Sequence, residues 1–229
     1  MNTYIDWNSK LPLHTSYTET AEALLFMHEH FRIKRVCFMQ DYDERINSVA
    51  AFRIRREKAL KDLSEILPSS LKISYHAAVH LTKELSSCAE LHRLTITKQK
   101  LLPLLLPMES YADWIDLELN RLLYKNRISP LFLSFELYPI LYPEEAIQRL
   151  LRIPNAAYQF NYRAFTVPSQ ARMISSLLQR GATVLLGTGC TSAQKVFCYE
   201  FEHYLALAKE SLTASEYTTL LKNAKLPLK

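Results

Sequence analysis

Glycine is scarce in this chain of 229 residues: there are three, at positions 181, 187 and 189. A glycine-rich phosphate-binding loop is therefore excluded from the rest of the sequence. The stretch Gly187-Thr188-Gly189-Cys190 lacks the lysine of a nucleotide-binding P-loop, and we interpret it as a tight strand-to-helix turn. Turns elsewhere that need a positive φ are expected to use Asn or Asp, or to be avoided.

Cysteine is also rare, with four residues and no Cys-x-x-Cys pair: Cys37, Cys88, Cys190 and Cys198. We expect buried or free thiols in a reducing compartment. A cysteine-dependent phosphatase needs an arginine at a fixed spacing after its nucleophile, so that the thiolate lies below a phosphate-binding loop. Val196 stands where that arginine would follow Cys190, and Asp43 where it would follow Cys37, so the sequence does not fit this class of enzyme.

Long hydrophobic runs are missing as well. The most apolar stretch, residues 101–107, is too short and too rich in proline to span a bilayer. Residues 1–7 show neither the basic start nor the apolar run of a signal peptide, so we expect a cytoplasmic protein without a membrane span. The formal net charge of +5 comes from interleaved charges, such as those of residues 53–62, which predicts a solvated helix face and no nucleic-acid binding.

What the chain does contain is a regular alternation of short apolar runs and amphipathic stretches. Strands are expected at 33–39, 71–79, 98–106, 131–135, 158–161 and 183–186. Helices are expected at 20–31, 46–66, 111–124, 143–152, 169–179, 197–207 and 214–223. Buried parallel strands joined by helical crossovers follow from this order. Roughly seven such units predict one α/β domain, residues 1–229, folded as a small closed or nearly closed barrel.

Two local patterns refine this prediction. In the helix at 111–124 we expect Trp114, Leu117 and Leu122 to face the core, and Asp113, Glu118 and Arg121 to face solvent. Gly181 follows the helix at 169–179 and is a natural residue to end it.

The histidines offer no clear site. His76 and His80 have the spacing of a zinc-binding pair, but no Glu follows His76 and the segment is predicted to be a strand. No Ser/His/Asp set is recognisable. The residues alone therefore indicate a soluble α/β domain without a visible catalytic signature.

Several segments nevertheless share the order and spacing of one set of motifs. They are Ile5-Asp6-Trp7-Asn8-Ser9-Lys10-Leu11, Val36 to Tyr42, Ile73 to Leu85, Ser129-Pro130-Leu131-Phe132-Leu133-Ser134-Phe135-Glu136, Gln159-Phe160-Asn161, and Arg180 to Thr191. Together they resemble the motifs of the PHP-type (polymerase and histidinol phosphatase) manganese-dependent protein-tyrosine phosphatases of bacterial capsule and exopolysaccharide gene clusters. The resemblance covers nearly the whole chain and implies the PHP fold, a distorted (β/α)7 TIM-like barrel.

Nearly every metal ligand of that family is replaced in this chain. In the family, imidazoles and carboxylates at the barrel mouth hold metals that activate water and clamp the phosphate. The resemblance puts Asn8, Lys10, Asp41, Ala78, Phe135, Gly189 and Thr191 at ligand positions, and Tyr138 in place of a phosphate-binding arginine. We expect these eight positions to form a remnant pocket with no metal cofactor, where the family would use manganese, and with no assigned catalytic residue.

Asp41 alone among them could still ligate a hard cation, and the ammonium group of Lys10 would oppose cation binding. We hypothesise that the two side chains form a salt bridge within about 4 Å where the metals once stood.

Two classes of function remain open. The first is a degenerate, non-catalytic relative with a binding or regulatory role and a protein partner in polysaccharide synthesis; since some members of the family form rings, an oligomer is compatible with it. The second is an enzyme, either an active tyrosine-protein phosphatase or another hydrolase that uses non-family residues such as His14, Lys10, Asp41 and Tyr138. The tyrosines near predicted loops are interpreted as core aromatics, and exposure around a barrel mouth would instead indicate a binding face: Tyr138, Tyr142, Tyr158 and Tyr162.

Overall fold

The computed structural model of the chain describes residues 4–9, 17–96, 100–189 and 196–225. Seven parallel strands form one sheet in sequence order, so each strand pairs with the next along the chain. The strands are β1 (Tyr4–Ser9), β2 (Ile33–Tyr42), β3 (Lys72–His80), β4 (Leu101–Leu105), β5 (Ser129–Phe132), β6 (Ala157–Asn161) and β7 (Thr183–Gly187).

Helices connect most of these strands, which is how consecutive strands come to run parallel. They are α1 (Tyr17–Phe31), α2 (Val49–Ser64), α3 (Asp113–Asn120), α4 (Tyr138–Leu141), α5 (Glu144–Leu150), α6 (Pro168–Gln179), α7 (Val196–Ser211) and α8 (Ala214–Asn223). Between β3 and β4 the described residues form two short 3₁₀ turns, Leu85–Ser87 and Leu91–Leu94, instead of an α-helix. At this point the strict β-then-α repeat is broken.

The sheet is nearly closed into a barrel by a contact between its first and last strands. The carboxylate of Asp6 in β1 accepts hydrogen bonds from the backbone N of Thr188, at 2.8 Å, and from its Oγ1, at 2.7 Å. Asp6 is 1% exposed, so this charge-assisted pair is shielded from water. The predicted nearly closed seven-stranded α/β barrel is therefore confirmed.

Helix α8 is joined to the first strand by a hydrogen bond from Trp7 and to α6 by the carboxylate of Glu216. Thr213 and Glu216 form a capping box that fixes where the helix begins. Hydrogen bonds from Ser175, Thr213 and Gln179 lower the pKa of Glu216 to about 2, so its carboxylate stays charged and joins α8 to α6. At the other end of α8, the carbonyl of Ala224 accepts a hydrogen bond from Trp7 Nε1 at 3.0 Å.

Alternation along the strands produces two separate hydrophobic layers. One cluster takes members from all seven strands and none from α1 to α7, so it fills the barrel lumen: Trp7, Cys37, Met39, Ala78, Ile96, Leu101, Leu131, Leu133, Ala157 and Leu185. The larger cluster contains the alternate strand residues and the inner faces of the helices. The lumen is thus packed by side chains, as expected for a small barrel.

Five left-handed residues among those described lie just before strands, and three of them are not the expected residue types. Arg32, Lys100 and Arg127 have φ values of 55°, 57° and 54°, and each stands just before or close to the start of β2, β4 or β5. Asn155 before β6, at 57°, fits the expectation that Asn would serve, and Gly181 before β7, at 74°, fits the expectation that it ends the preceding helix. The general prediction was wrong because exposed basic residues bear the strain at the other turns.

Two further corrections concern β5 and α3. The strand predicted at 131–135 ends at Phe132, because Ser134 adopts a left-handed conformation (φ 50°, ψ 47°) that turns the chain. On α3, Leu117 is 58% exposed, whereas Glu118 is 0% exposed. The carboxylate of Glu118 accepts hydrogen bonds from the backbone N of Ser86 and from Arg121, so a polar contact with the β3–β4 connection draws it inward. No helix in the described ranges is long and apolar enough to cross a membrane.

Replacing Arg127 by glycine should stabilise the protein. A left-handed conformation costs a residue with a Cβ about 1–2 kcal/mol, and glycine costs about 0.4–1 kcal/mol through the unfolded chain. Arg127→Gly is therefore expected to raise the free energy of unfolding by about 0.5–1 kcal/mol in urea titrations. Arg127→Ala removes the same charged side chain but keeps the strain, and it should give little change. An equal gain in both variants would assign the effect to the side chain instead of the backbone.

Candidate functional site

The carboxyl ends of the parallel strands meet on one side of the barrel, the side that carries functional loops in parallel barrels. We call this side the mouth. Asp41 of β2 and His80 of β3 stand there on neighbouring strands, with 3.9 Å between Oδ2 and Nε2. Their side chains are 55% and 43% exposed, respectively. The pair therefore lies on the solvent-exposed rim of the mouth, where an ion pair contributes little to stability.

Hydrocarbon side chains fill the lumen beneath this rim. Ala78 is the register partner of Asp41, Met39 precedes Asp41 on the same face of β2, and Leu133 follows β5. All three are at most 2% exposed. Methyl and methylene groups offer no donor atom, and a thioether is a soft ligand that does not suit a hard cation such as manganese.

The polar groups deeper in the barrel wall are held in neutral forms. Burial raises the pKa of the Cys37 thiol to about 12, so it is not a thiolate nucleophile near neutral pH. Burial, assisted by the guanidinium charge of Arg56, lowers the pKa of His76 to about 4. His76 Nε2 has no hydrogen-bond partner within the described residues. Neither group is prepared for nucleophilic or charged acid–base chemistry.

A buried carboxylate does lie at the mouth, but its oxygens already have partners. Glu136 follows β5 and is 8% exposed. Asn161, at the end of β6, donates to Glu136 Oε2 through its backbone N at 3.2 Å and to Oε1 through its side-chain Nδ2 at 2.5 Å. Burial raises the pKa of Glu136 although these hydrogen bonds oppose the shift. The chain thus uses this carboxylate to fix Asn161.

The fixed amide of Asn161 explains the glycine at position 189. Gly189 follows β7 with φ +63°, and a Cβ built on it would lie 2.7 Å from Oδ1 and 2.8 Å from Cγ of Asn161. Gln159 Nε2 donates to the same Oδ1 at 3.3 Å, which limits how far the amide can move. The position that the resemblance equates with an aspartate ligand therefore has no room for a side chain.

Phe135 and Tyr138 lie behind the barrel wall, in the layer between strands and helices. The ring of Phe135 is fully buried and contacts the rings of Tyr138, Tyr158 and Phe160 with centroids 5.0–5.9 Å apart. The hydroxyl of Tyr138 accepts a hydrogen bond from the backbone N of Leu106 at 2.9 Å. Because Ser134 has a left-handed backbone, Leu133 lies in the lumen whereas Phe135, two residues later, lies in the outer layer.

The tyrosines near the predicted loops are core aromatics, as expected. Tyr138, Tyr142, Tyr158 and Tyr162 are each at most 5% exposed. The alternative, a ring of exposed tyrosines at the mouth, is wrong for these four residues.

Three positions of the expected remnant pocket have no described side chain: Asn8, Lys10 and Thr191. Lys10 and Thr191 lie outside the described residues, as does His14, and the side chain of Asn8 is not described either. The hypothesised salt bridge between Lys10 and Asp41 therefore stays a prediction. Of the other five positions, Asp41 and Ala78 lie side by side, Gly189 contacts Asn161, and Phe135 and Tyr138 share the outer core.

Sequence reasoning gave no role to the two polar pairs that shape this end of the barrel. Glu136 and Asn161 belong to segments that carry the resemblance, yet they are far apart in sequence and only the fold brings them together. Asp6 and Thr188 are separated by almost the whole chain. The position of Asp6 between the apolar residues Ile5 and Trp7 was the one sequence signal that could have suggested a buried polar contact.

The donor set of the described mouth does not fit a cluster of hard cations. Within residues 4–9, 17–96, 100–189 and 196–225, no three His, Cys, Asp or Glu side chains come together as a metal site would require. Asp41 and His80 lack a third ligand among these residues, and Glu136 is engaged by Asn161.

Solved structures with this architecture identify the fold. One, from a study of YwqE from Bacillus subtilis and CpsB from Streptococcus pneumoniae, described as unique metal-dependent tyrosine phosphatases, superposes with a TM-score of 0.63. The alignment covers 99% of this chain and 97% of that chain at 14% identity. The chain has a PHP-like barrel fold. A histidinol phosphate phosphatase from Lactococcus lactis, solved with zinc, L-histidinol and phosphate, shares the PHP-like fold with a TM-score of 0.56, at 13% identity over 92% of this chain and 93% of that one.

No protein-family model and no curated protein matches the sequence. The PHP-like architecture is thus shared with both solved structures although the sequences differ widely. At identities of 14% and 13%, the likeness establishes the fold and leaves the chemistry to be argued from the residues.

The contact between Gly189 and Asn161 can be tested with a matched pair of glycine substitutions. Gly181→Ala adds a Cβ at φ +74° with nothing within 4 Å, so strain of about 1–2 kcal/mol, less about 0.4–1 kcal/mol from the stiffer unfolded chain, should leave a net cost of about 0.5–1 kcal/mol. Gly189→Ala adds the collision with Asn161 and should cost about 2–4 kcal/mol in urea unfolding. In an Asn161→Ala background, the cost of Gly189→Ala should fall to that of Gly181→Ala. Equal costs for the two glycines in the parent protein would refute the packing explanation.

Proposed function

We propose that this chain is a non-catalytic PHP-like barrel that acts by binding a protein partner. The observation that carries the proposal is the hydrocarbon packing of Met39, Ala78 and Leu133 under the mouth, where a phosphatase of this fold would need metal ligands. Asp41 stands on the rim of the mouth, beside the half-exposed imidazole of His80.

The buried polar groups do not supply a substitute mechanism. A covalent route would need an activated nucleophile, and the Cys37 thiol is neutral and 0% exposed. Acid–base catalysis would need an accessible group whose pKa is close to the working pH. Glu136 and His76 are both buried, and the Glu136 carboxylate is tied to Asn161. These three groups are buried and lack the accessibility that either mechanism requires.

Exposed apolar side chains on the mouth loops support a protein as the partner. Ile46 after β2, Met108 after β4 and Ile140 after β5 are 77%, 59% and 76% exposed. Val167, after β6, is 40% exposed. Apolar groups concentrated on one face of a protein are typical of interaction surfaces. By resemblance to the capsule and exopolysaccharide phosphatases, we place this partner in polysaccharide synthesis.

Phosphatase activity is the direct test of this proposal. We expect the purified chain, incubated with manganese, to release no phosphate from a phosphotyrosine peptide above the protein-free background. An active metal-dependent tyrosine phosphatase assayed in parallel controls for the reagents.

Turnover above background would contradict the proposal, and the variant Asp41→Asn would then show which alternative holds. Loss of turnover in that variant would indicate a phosphatase that depends on Asp41. Retained turnover would indicate a hydrolase that uses residues elsewhere in the chain.

A further inference from the structure

A groove of about 960 Å³ opens at the mouth between the loops that follow β2, β3 and β4. It lies where the β3–β4 connection is formed by 3₁₀ turns instead of a helix. Its size is in the range of sites that hold a ligand or a large side chain. The groove is separate from the Glu136–Asn161 pair, which lies over β5 and β6.

Part of the groove wall is apolar. Leu105, Pro107 and Trp114 are partly buried along it, and Met108 is 59% exposed at its edge. Such a surface suits the methylene stem of a long side chain, because the stem can lie on carbon while its polar end reaches a partner. The indole of Trp114 also offers the ring face that cations prefer.

A carboxylate in the polar wall has one buried oxygen without a hydrogen-bond partner among the described residues. Thr82 Oγ1 donates to Glu44 Oε1 and thereby orients this carboxylate. Glu44 Oε2 is buried and makes no hydrogen bond to any described residue. A buried oxygen of this kind gains strongly from a charged hydrogen-bond donor.

The charges along the groove favour a cation. Arg45 is paired with Asp43, with 2.6 Å between Nη2 and Oδ2, so its charge is largely neutralised. The other charged residues of the lining are three carboxylates and one ammonium group: Glu44, Glu84, Glu109 and Lys83. The groove is therefore acidic, although the whole chain carries a formal net charge of +5. A phosphorylated side chain would meet like charges here.

We propose that this groove binds an arginine or lysine side chain of the partner protein. The cationic group pairs with the carboxylate of Glu44, and the aliphatic stem lies on Met108 and Trp114. This inference deepens the proposed function and rests on it, because it names the chemistry of the partner at the mouth.

Oriented peptide pools provide the probe. Four fluorescent pools of random sequence carry a fixed central arginine, lysine, glutamate or phosphotyrosine. We expect the arginine and lysine pools to bind the full chain, and the glutamate and phosphotyrosine pools to show no binding. Preference for the acidic pools, or no binding by any pool, would overturn the inference.

Variants assign the binding to the groove. Glu44→Gln keeps a carbonyl oxygen for Thr82 and removes the charge, so it should weaken arginine-pool binding at least tenfold, a loss of about 1.4 kcal/mol or more. Glu57→Gln, on the exposed face of α2, removes a matched charge away from the groove and should bind as the parent does. Met108→Ala should weaken binding several-fold, and it remains informative if Glu44→Gln fails to fold. Unchanged binding in both groove variants would refute the assignment.

The half-buried thiol of Cys88 lines the groove and serves as a local reporter. Its modification by a maleimide, located by peptide mass spectrometry, should slow when the arginine pool is present. An unchanged rate at Cys88 under saturating peptide would place the binding elsewhere. If no pool binds and phosphotyrosine turnover is also absent, the groove inference is wrong and the proposed function is unaffected. Phosphotyrosine turnover would instead contradict the proposed function itself.

Discussion

The carboxylate of Asp6 joins the two ends of the sheet, and the rest of the barrel depends on that contact. Strand pairing runs from β1 to β7 in sequence order, and Thr188, directly after β7, gives both its backbone N and its hydroxyl to Asp6. Because the barrel is nearly closed, one set of alternate side chains is sealed from water and must pack against itself. The hydrocarbon lumen is a consequence of this closure.

A closed lumen of this composition also limits the chemistry at the mouth. In a barrel of this fold that uses metals, donor atoms must stand on the strand ends and point over the lumen. Here alanine, methionine and leucine lie under the rim, and the Glu136 carboxylate is used to fix Asn161. The Glu136–Asn161 pair stabilises this end of the barrel, and the accessible charges lie at Asp41 on the rim and in the adjoining groove.

Much of the architecture could be predicted from local patterns, because strands and helices leave periodic traces in the sequence. The parallel order and most element positions agree, and α8 begins at the predicted residue. The errors arose where a distant contact decides the outcome: Glu118 is drawn inward by the backbone of Ser86, and Ser134 ends β5 early with a left-handed turn. Contacts between residues far apart in sequence leave no periodic pattern. The sequence therefore did not predict that Asn161 occupies the space beside Gly189, or that Glu44 and Trp114 line one groove.

The most direct test of a mouth without metals is a count of bound manganese. Equilibrium dialysis of the full chain against manganese, followed by elemental analysis, should find no stoichiometric metal at concentrations that load an active PHP phosphatase. Crystals soaked in the same salt should show no anomalous scattering peak next to Asp41. Two or more manganese ions per chain, with a peak at the mouth, would contradict the account and show that the barrel builds a metal centre.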